Sequence, residues 1–216
     1  MGRLVTFAIT IAVFLSTHTY AGAGVVDQVW EPPQYRFGAA FYSGQSLAQT
    51  FTVGQTGILD RVEVTVSRTP TTNKPLVVEI HGTFNGAPSL GVLASYSLDA
   101  ASLPTTLYTT TFTGKDLGAQ AFHVFAGEQL AIVLSSQTGN YPDWYLWTTS
   151  DSAATPPAPQ YPGGMSWASS SFNQWGWSAA QDAGFRTFVS VPEPPTLALA
   201  AIGGVALLKM RRRKWR

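Results

Sequence analysis

Past its first 23 residues this 216-residue chain has two histidines, His81 and His123, and it has no cysteine anywhere. The missing thiols exclude disulfide frameworks, thiolate zinc sites and cysteine nucleophiles. A histidine metal site needs ligands that converge, and two isolated imidazoles on separate strands offer no such spacing. His81, next but one to Glu79, reads as an exposed structural residue. No G-x-S-x-G turn is present to carry a serine nucleophile. Asp60 and Glu63 are three apart in one strand and so point to opposite faces. Asp99, Asp116, Asp143, Asp151 and Asp182 fall in turns, where aspartate usually satisfies local backbone donors. Asp116, Asp143 or Asp182 could give oxygens to calcium, but the D-x-D spacing of a loop site is absent. No metal and no cofactor is expected.

The chemistry that does stand out is aromatic. The stretch Asp143-Trp144-Tyr145-Leu146-Trp147 is followed by Tyr161, Trp167, Phe172, Trp175 and Trp177. A tryptophan presents a flat apolar face and an N–H donor, which suits sugar rings. Trp167, Trp175 and Trp177 are therefore candidate glycan contacts, against the alternative that they only fill the edge of a core. Trp144 and Trp147 point opposite ways in one strand, so at least one belongs to the core.

The elements that must position these residues read as strands. Leu47, Gln49, Phe51 and Val53 alternate with Ala48, Thr50 and Thr52; Val62, Val64 and Val66 alternate with Arg61, Glu63 and Thr65, giving one wet face. Leu76, Val78 and Ile80 oppose Glu79 and His81. Tyr108 and Phe112 alternate with threonines, Leu130, Ile132 and Leu134 make another inward row, and Phe185–Val189 closes the set. Turn chemistry separates them at Gly54–Gly57, Thr69–Lys74, Asn85-Gly86, Thr113–Asp116 and Gly139-Asn140. Ser152–Gly164, rich in proline and glycine, reads as a long surface loop. Eight to ten short strands without a convincing amphipathic helix predict an all-β, antiparallel β-sandwich over residues 24–190, most simply a jelly roll. Residues 24–191 carry six basic and eleven acidic side chains, net −5. Such a domain has no basic stripe for nucleic acid.

Both ends read as addresses. Residues 1–23 begin with Arg3, continue through an uncharged run from Leu4 to Leu15, and end in small residues with cleavage expected after Ala21 or Ala23. Twelve residues of helix span about 18 Å, well short of an about 30 Å hydrocarbon core. A removed signal peptide is predicted, with signal peptidase as a partner. At the other end, residues 191–216 place Val191-Pro192-Glu193-Pro194 before an apolar run from Pro195 to Leu208. Lys209, Arg211, Arg212, Arg213, Lys214 and Arg216 follow. A helix over the run would form a short transmembrane segment, with the basic cluster held in the cytoplasm. An unprocessed single-pass anchor fits the same topology.

The order V-P-E-P, short apolar run and arginine-rich terminus resembles the PEP-CTERM sorting signal of Gram-negative bacteria. The resemblance implies recognition by an exosortase, a membrane cysteine protease, with cleavage near the motif. It implies an inner-membrane precursor and a final place in the cell envelope or extracellular matrix, among exopolysaccharide. The middle is similar, more loosely, to jelly-roll modules of other exosortase substrates. The matching pieces are Gln49-x-Phe51, Gly57-x-Leu59-x-x-Val62, Ala126–Leu130, Tyr161-x-Gly163-Gly164 and Asp182-x-x-Phe185-Arg186. Three roles for the whole protein follow: a non-catalytic envelope or matrix protein, a glycan-binding module of the exopolysaccharide matrix, or a hydrolase of matrix glycan. The last requires paired carboxylates across a cleft.

Overall fold

The computed structural model describes residues 24–32, 37–137, 142–150, 160–170, 174–178 and 181–191. Within them the chain forms β1 (Val25–Trp30), β2 (Phe37–Phe41), β3 (Ser46–Thr52), β4 (Gly57–Val64), β5 (Val66–Arg68), β6 (Leu76–Phe84) and β7 (Ala87–Leu98). There follow β8 (Thr113–Asp116), β9 (Phe122–Val124), β10 (Gln129–Ser136), β11 (Tyr145–Thr149), β12 (Ser166–Ser169), β13 (Trp175–Ser178) and β14 (Phe185–Ser190). Two single-turn 3-10 helices, Ala100–Ser102 and Gly118–Gln120, are the only helical elements among the described residues.

Every ladder among the described residues is antiparallel. One layer is a six-stranded sheet in the order β13-β12-β3-β10-β6-β7. The other begins as β1-β14-β4-β8, with β9 also on β4, and continues as β2-β11-β5. Thr65 joins these two parts, because the strand changes partner there. Its N–H donates to Gly184 O at 3.2 Å, and its carbonyl accepts from Thr148 N at 2.9 Å. Between the layers Phe51, Leu130, Ile132, Leu134, Val78 and Ile80 meet Leu59, Val62, Val64, Val66, Tyr145, Trp147 and Phe185 in one apolar core. The inward rows read from period-2 alternation are the rows that pack, as a pleated strand requires.

The expected sandwich is present, and several of its details differ from expectation. Glu63 and Thr65 are buried rather than wet: β8 and Arg61 cover the first, and the junction encloses the second. Ala48 and Thr50 are likewise covered, by β12 and the segment leading into it. Thr113–Asp116 is a strand, not a turn. Gly114 is needed there because a Cβ would stand 2.0 Å from Val62 O. Tyr108 and Phe112 lie in irregular chain and not in a strand, with Tyr108 at φ 58°. The Asn85-Gly86 turn is as expected, with both residues at positive φ (51° and 80°), the geometry that favours this pair in a two-residue hairpin. Residues 152–159 of the expected loop, Gly139-Asn140, the signal segment and the sorting tail lie outside the described residues. Among those that are described, no helix is long and apolar enough to cross a membrane.

The core assignment has a direct test. Ile132 is fully buried, whereas Leu90 is 70% exposed. Ile132→Ala should lower stability in urea unfolding by about 2–5 kcal/mol, while Leu90→Ala should stay within about 0.5 kcal/mol.

Candidate functional site

A buried polar cluster is built from three sequence pieces that lie far apart in the chain. Asp182, just before β14, is 5% exposed. Its Oδ1 accepts from Gln49 Nε2 on β3 at 3.1 Å, and its Oδ2 accepts from the Tyr161 backbone N–H at 2.7 Å. Gln49 Oε1 accepts from Ala183 N at 2.8 Å, and the Asp182 backbone exchanges hydrogen bonds with Ser150. Tyr161 is buried rather than part of a surface loop. Its ring packs edge-on against Phe185 and tilted against Trp30, and its hydroxyl donates to Gln28 Oε1 at 2.8 Å. Burial pushes that phenol up to about 12. Gly164 completes the contact, since a Cβ there would lie 1.8 Å from Thr50 O. Each carboxylate oxygen accepts a hydrogen bond from within the fold, so the cluster clamps the late segment onto β3.

The remaining titratable candidates are also committed to the fold. His81 is 7% exposed, not on an open face as expected. The β6–β7 hairpin covers it, Nδ1 lying 2.7 Å from Ser89 O and Nε2 3.1 Å from Glu79. Burial alone pulls this imidazole down, but the Glu79 and Ser89 hydrogen bonds with the Glu79 charge hold it above its ordinary value. His123 is exposed on β9, in the other layer. Among the described residues no three His, Asp or Glu side chains stand close enough to hold a metal ion. Of the aspartates that could have offered calcium ligands, Asp116 faces Arg61, Asp143 accepts from the Thr71 hydroxyl, and Asp182 sits in the clamp. Asp60 accepts from the Ser190 hydroxyl, Glu63 pairs with Arg61, and Asp99 caps the first 3-10 turn.

The tryptophans divide between two settings. Trp147 is core, its Nε1 donating to Gly184 O at 2.9 Å, while Trp144 is half-buried. Trp167 and Trp175 are half-buried and pack over Ala48, Ala131 and Val133. Those small residues alternate with the core row, so this second cluster lies on the outer face of the six-stranded sheet. The β12–β13 register sets Trp177 opposite Trp167 and Trp175 opposite Ser169. All three sequence-predicted glycan contacts thus fall on two neighbouring strands at one sheet edge. A small apolar cavity of 70 Å³ lies behind them between the layers, against Leu47, Trp147 and Ala183. That is far below the about 300 Å³ at which ligand pockets begin, so any sugar must lie on the face.

The clamp also makes a pH prediction. Burial holds the Asp182 carboxyl above its ordinary value of 3.8, with the Tyr161 and Gln49 hydrogen bonds opposing that rise. The folded state therefore keeps this proton longer than the unfolded one. The contribution of Asp182 to stability should fall as pH rises from 3.8 through its raised pKa. Subtracting the unfolding free energy of Asp182→Asn from that of the parent across this range should reveal the downward slope. A difference that does not change with pH would be inconsistent with it.

The sorting residues have one visible attachment point. Val191 is exposed and follows Ser190, the last residue of β14. Pro192, Glu193, Pro194, the basic positions Lys209, Arg211, Arg212, Arg213, Lys214 and Arg216, and the cleavage positions Ala21 and Ala23 lie outside the described residues. No curated protein sequence matches the chain. A family model described as the PEP-CTERM protein-sorting motif matches residues 190–214. The chain carries this motif directly after a β-sandwich, and the match supports an exported protein that an exosortase processes.

Proposed function

We propose that the chain is an exported, non-catalytic envelope or matrix protein whose sandwich is the working part and whose ends are removed in transit. The observation that carries this reading is the boundary: the sorting match begins at residue 190, where the last strand of the fold ends. Cleavage beside Val191–Pro194 would leave every ladder intact. At the other end, signal peptidase action after Ala23 would leave Gly24 first. A Cβ at this position would lie 2.5 Å from Asp60 Oδ1, so a larger residue would have to displace that carboxylate. The non-catalytic part of the reading is supported by the acids and His81, which are engaged singly in fold-holding contacts. In the precursor, the apolar run at residues 195–208 would sit in the inner membrane with its basic flank in the cytoplasm. Mass spectrometry of the mature protein from its own host should find an N-terminus at residue 22 or 24 and a C-terminus near the V-P-E-P motif. A chain still ending at Arg216 would turn the sorting segment into a plain anchor.

A second reading, glycan binding by the sandwich, is favoured by the placement of Trp167, Trp175 and Trp177 on adjacent strands. A stacked ring is worth about 1 kcal/mol, so Trp175→Ala should weaken retention on host exopolysaccharide about fivefold with little change in melting temperature. Unchanged retention with lowered stability would assign the rings to packing alone.

A further inference from the structure

The most exposed large apolar side chains among the described residues gather at one end of the sandwich. They are Phe84 (73%), Leu90 (70%) and Phe125 (63%). Phe84 ends β6 at the Asn85-Gly86 turn, and Leu90 bulges from β7 where the ladder slips opposite Gly82. The Thr83 hydroxyl donates to Gln129 O, which joins this hairpin tip to the start of β10. Phe125 stands four residues before that start and one after Val124, whose ladder partner is Gly57. A Cβ on Gly57 would lie 2.6 Å from Ser190 O. The residue from which the sorting tail departs is therefore at the same pole. Val25, which opens β1 and pairs with Val189, is there too.

What covers this pole is indicated by what leaves it. Only Val191–Pro194 separate Ser190 from the apolar run at residues 195–208. At about 3.3–3.6 Å per extended residue, four residues reach at most about 14 Å, so the pole stays that close to the point where the run enters a bilayer. Charge does not assist the approach. Asp27, Asp60 and Glu128 are the acids here, and each is engaged: Asp27 and Glu128 accept from the backbone N–H groups of Gly54 and Phe125, and Asp60 accepts from the Ser190 hydroxyl. The Glu128 bond fixes the turn that presents Phe125, and the Asp27 bond fixes the Gly54 turn, so attachment is apolar.

We propose that this pole is a lipid-docking surface. Phe84 and Phe125 enter the headgroup boundary of the bilayer that holds the tail, with Leu90 beside them, and the surface requires no anionic lipid. Docking holds the V-P-E-P segment at the membrane surface, where a membrane protease can reach it. The proposal rests on the reading that residues 195–208 lie in a bilayer.

The chain has no cysteine, so single labels are available. Phe84→Cys, Phe125→Cys and Asn73→Cys full-length chains, each carrying an environment-sensitive fluorophore, would be reconstituted into phosphatidylcholine–phosphatidylethanolamine vesicles containing a lipid-borne quencher. Asn73 is exposed in the turn before β6, at the opposite pole. Labels at positions 84 and 125 should lose most of their emission, and the label at 73 should lose none. If the chain resists alkaline carbonate extraction but 84 and 125 are no more quenched than 73, docking is overturned and the tail reading stands. Blue-shifted emission without quenching would show cover by another copy and also overturn docking. Release by carbonate would remove the tail reading and docking together.

Discussion

Much of the late half of this fold depends on keeping one carboxylate out of water. Asp182 brings β3, the strand-free segment at Tyr161 and the entry to β14 to a single point, and each of its oxygens accepts one hydrogen bond. Such a group is costly to bury unless every partner is present. That condition excludes alternative placements of the late segment, because a shift of one residue would orphan Gln49, the Tyr161 N–H or Ala183 N. Around this point the apolar rings of Tyr161, Phe185, Phe51 and Trp30 are stacked edge to face and tilted. Polar specificity and apolar burial thus act on the same few residues. The clamp fixes the late segment against β3 and β14.

Two outer regions differ in kind. The edge formed by β12 and β13 carries aromatic rings over a bed of alanine and valine, a firm and flat support. The pole that bears Phe84 and Phe125 presents its rings on turns, that of Phe125 held by its N–H to Glu128 and that of Phe84 tied by Thr83 to Gln129 O. The first lies along a sheet edge; the second lies where β14 ends and the tail departs.

The alternating rows at Phe51, Ile132, Val78 and Phe188's strand were legible because period-2 patterning reports which face is buried. It does not report what a later element lays over the other face. Glu63 and His81 looked wet for that reason, and both were covered by strands distant or adjacent in the chain. Thr113-Gly114-Lys115-Asp116 has the composition of a turn, yet its glycine answers close approach to Val62 O. The threonines around Tyr108 imitate a strand without a partner to pair with. In the clamp, Gln49 and Asp182 are 133 residues apart, a separation at which no local signal exists. Each piece was visible as a motif fragment, and only the fold shows that they are fragments of one contact. The tryptophan edge was legible in part, since strand alternation put Trp175 and Trp177 on one face but could not supply Trp167 as their neighbour.

Because β1 and β14 are antiparallel partners, with Val25 across from Val189, the two ends of the domain leave side by side. Traction on both termini at once would load this ladder as a zipper, one rung at a time, and not in shear across all rungs together. The arrangement is mechanically soft along that direction, however stable the sandwich is at rest. A domain tethered at both ends during translocation would open first at its own hem, and would close again from the same place once one thread is cut.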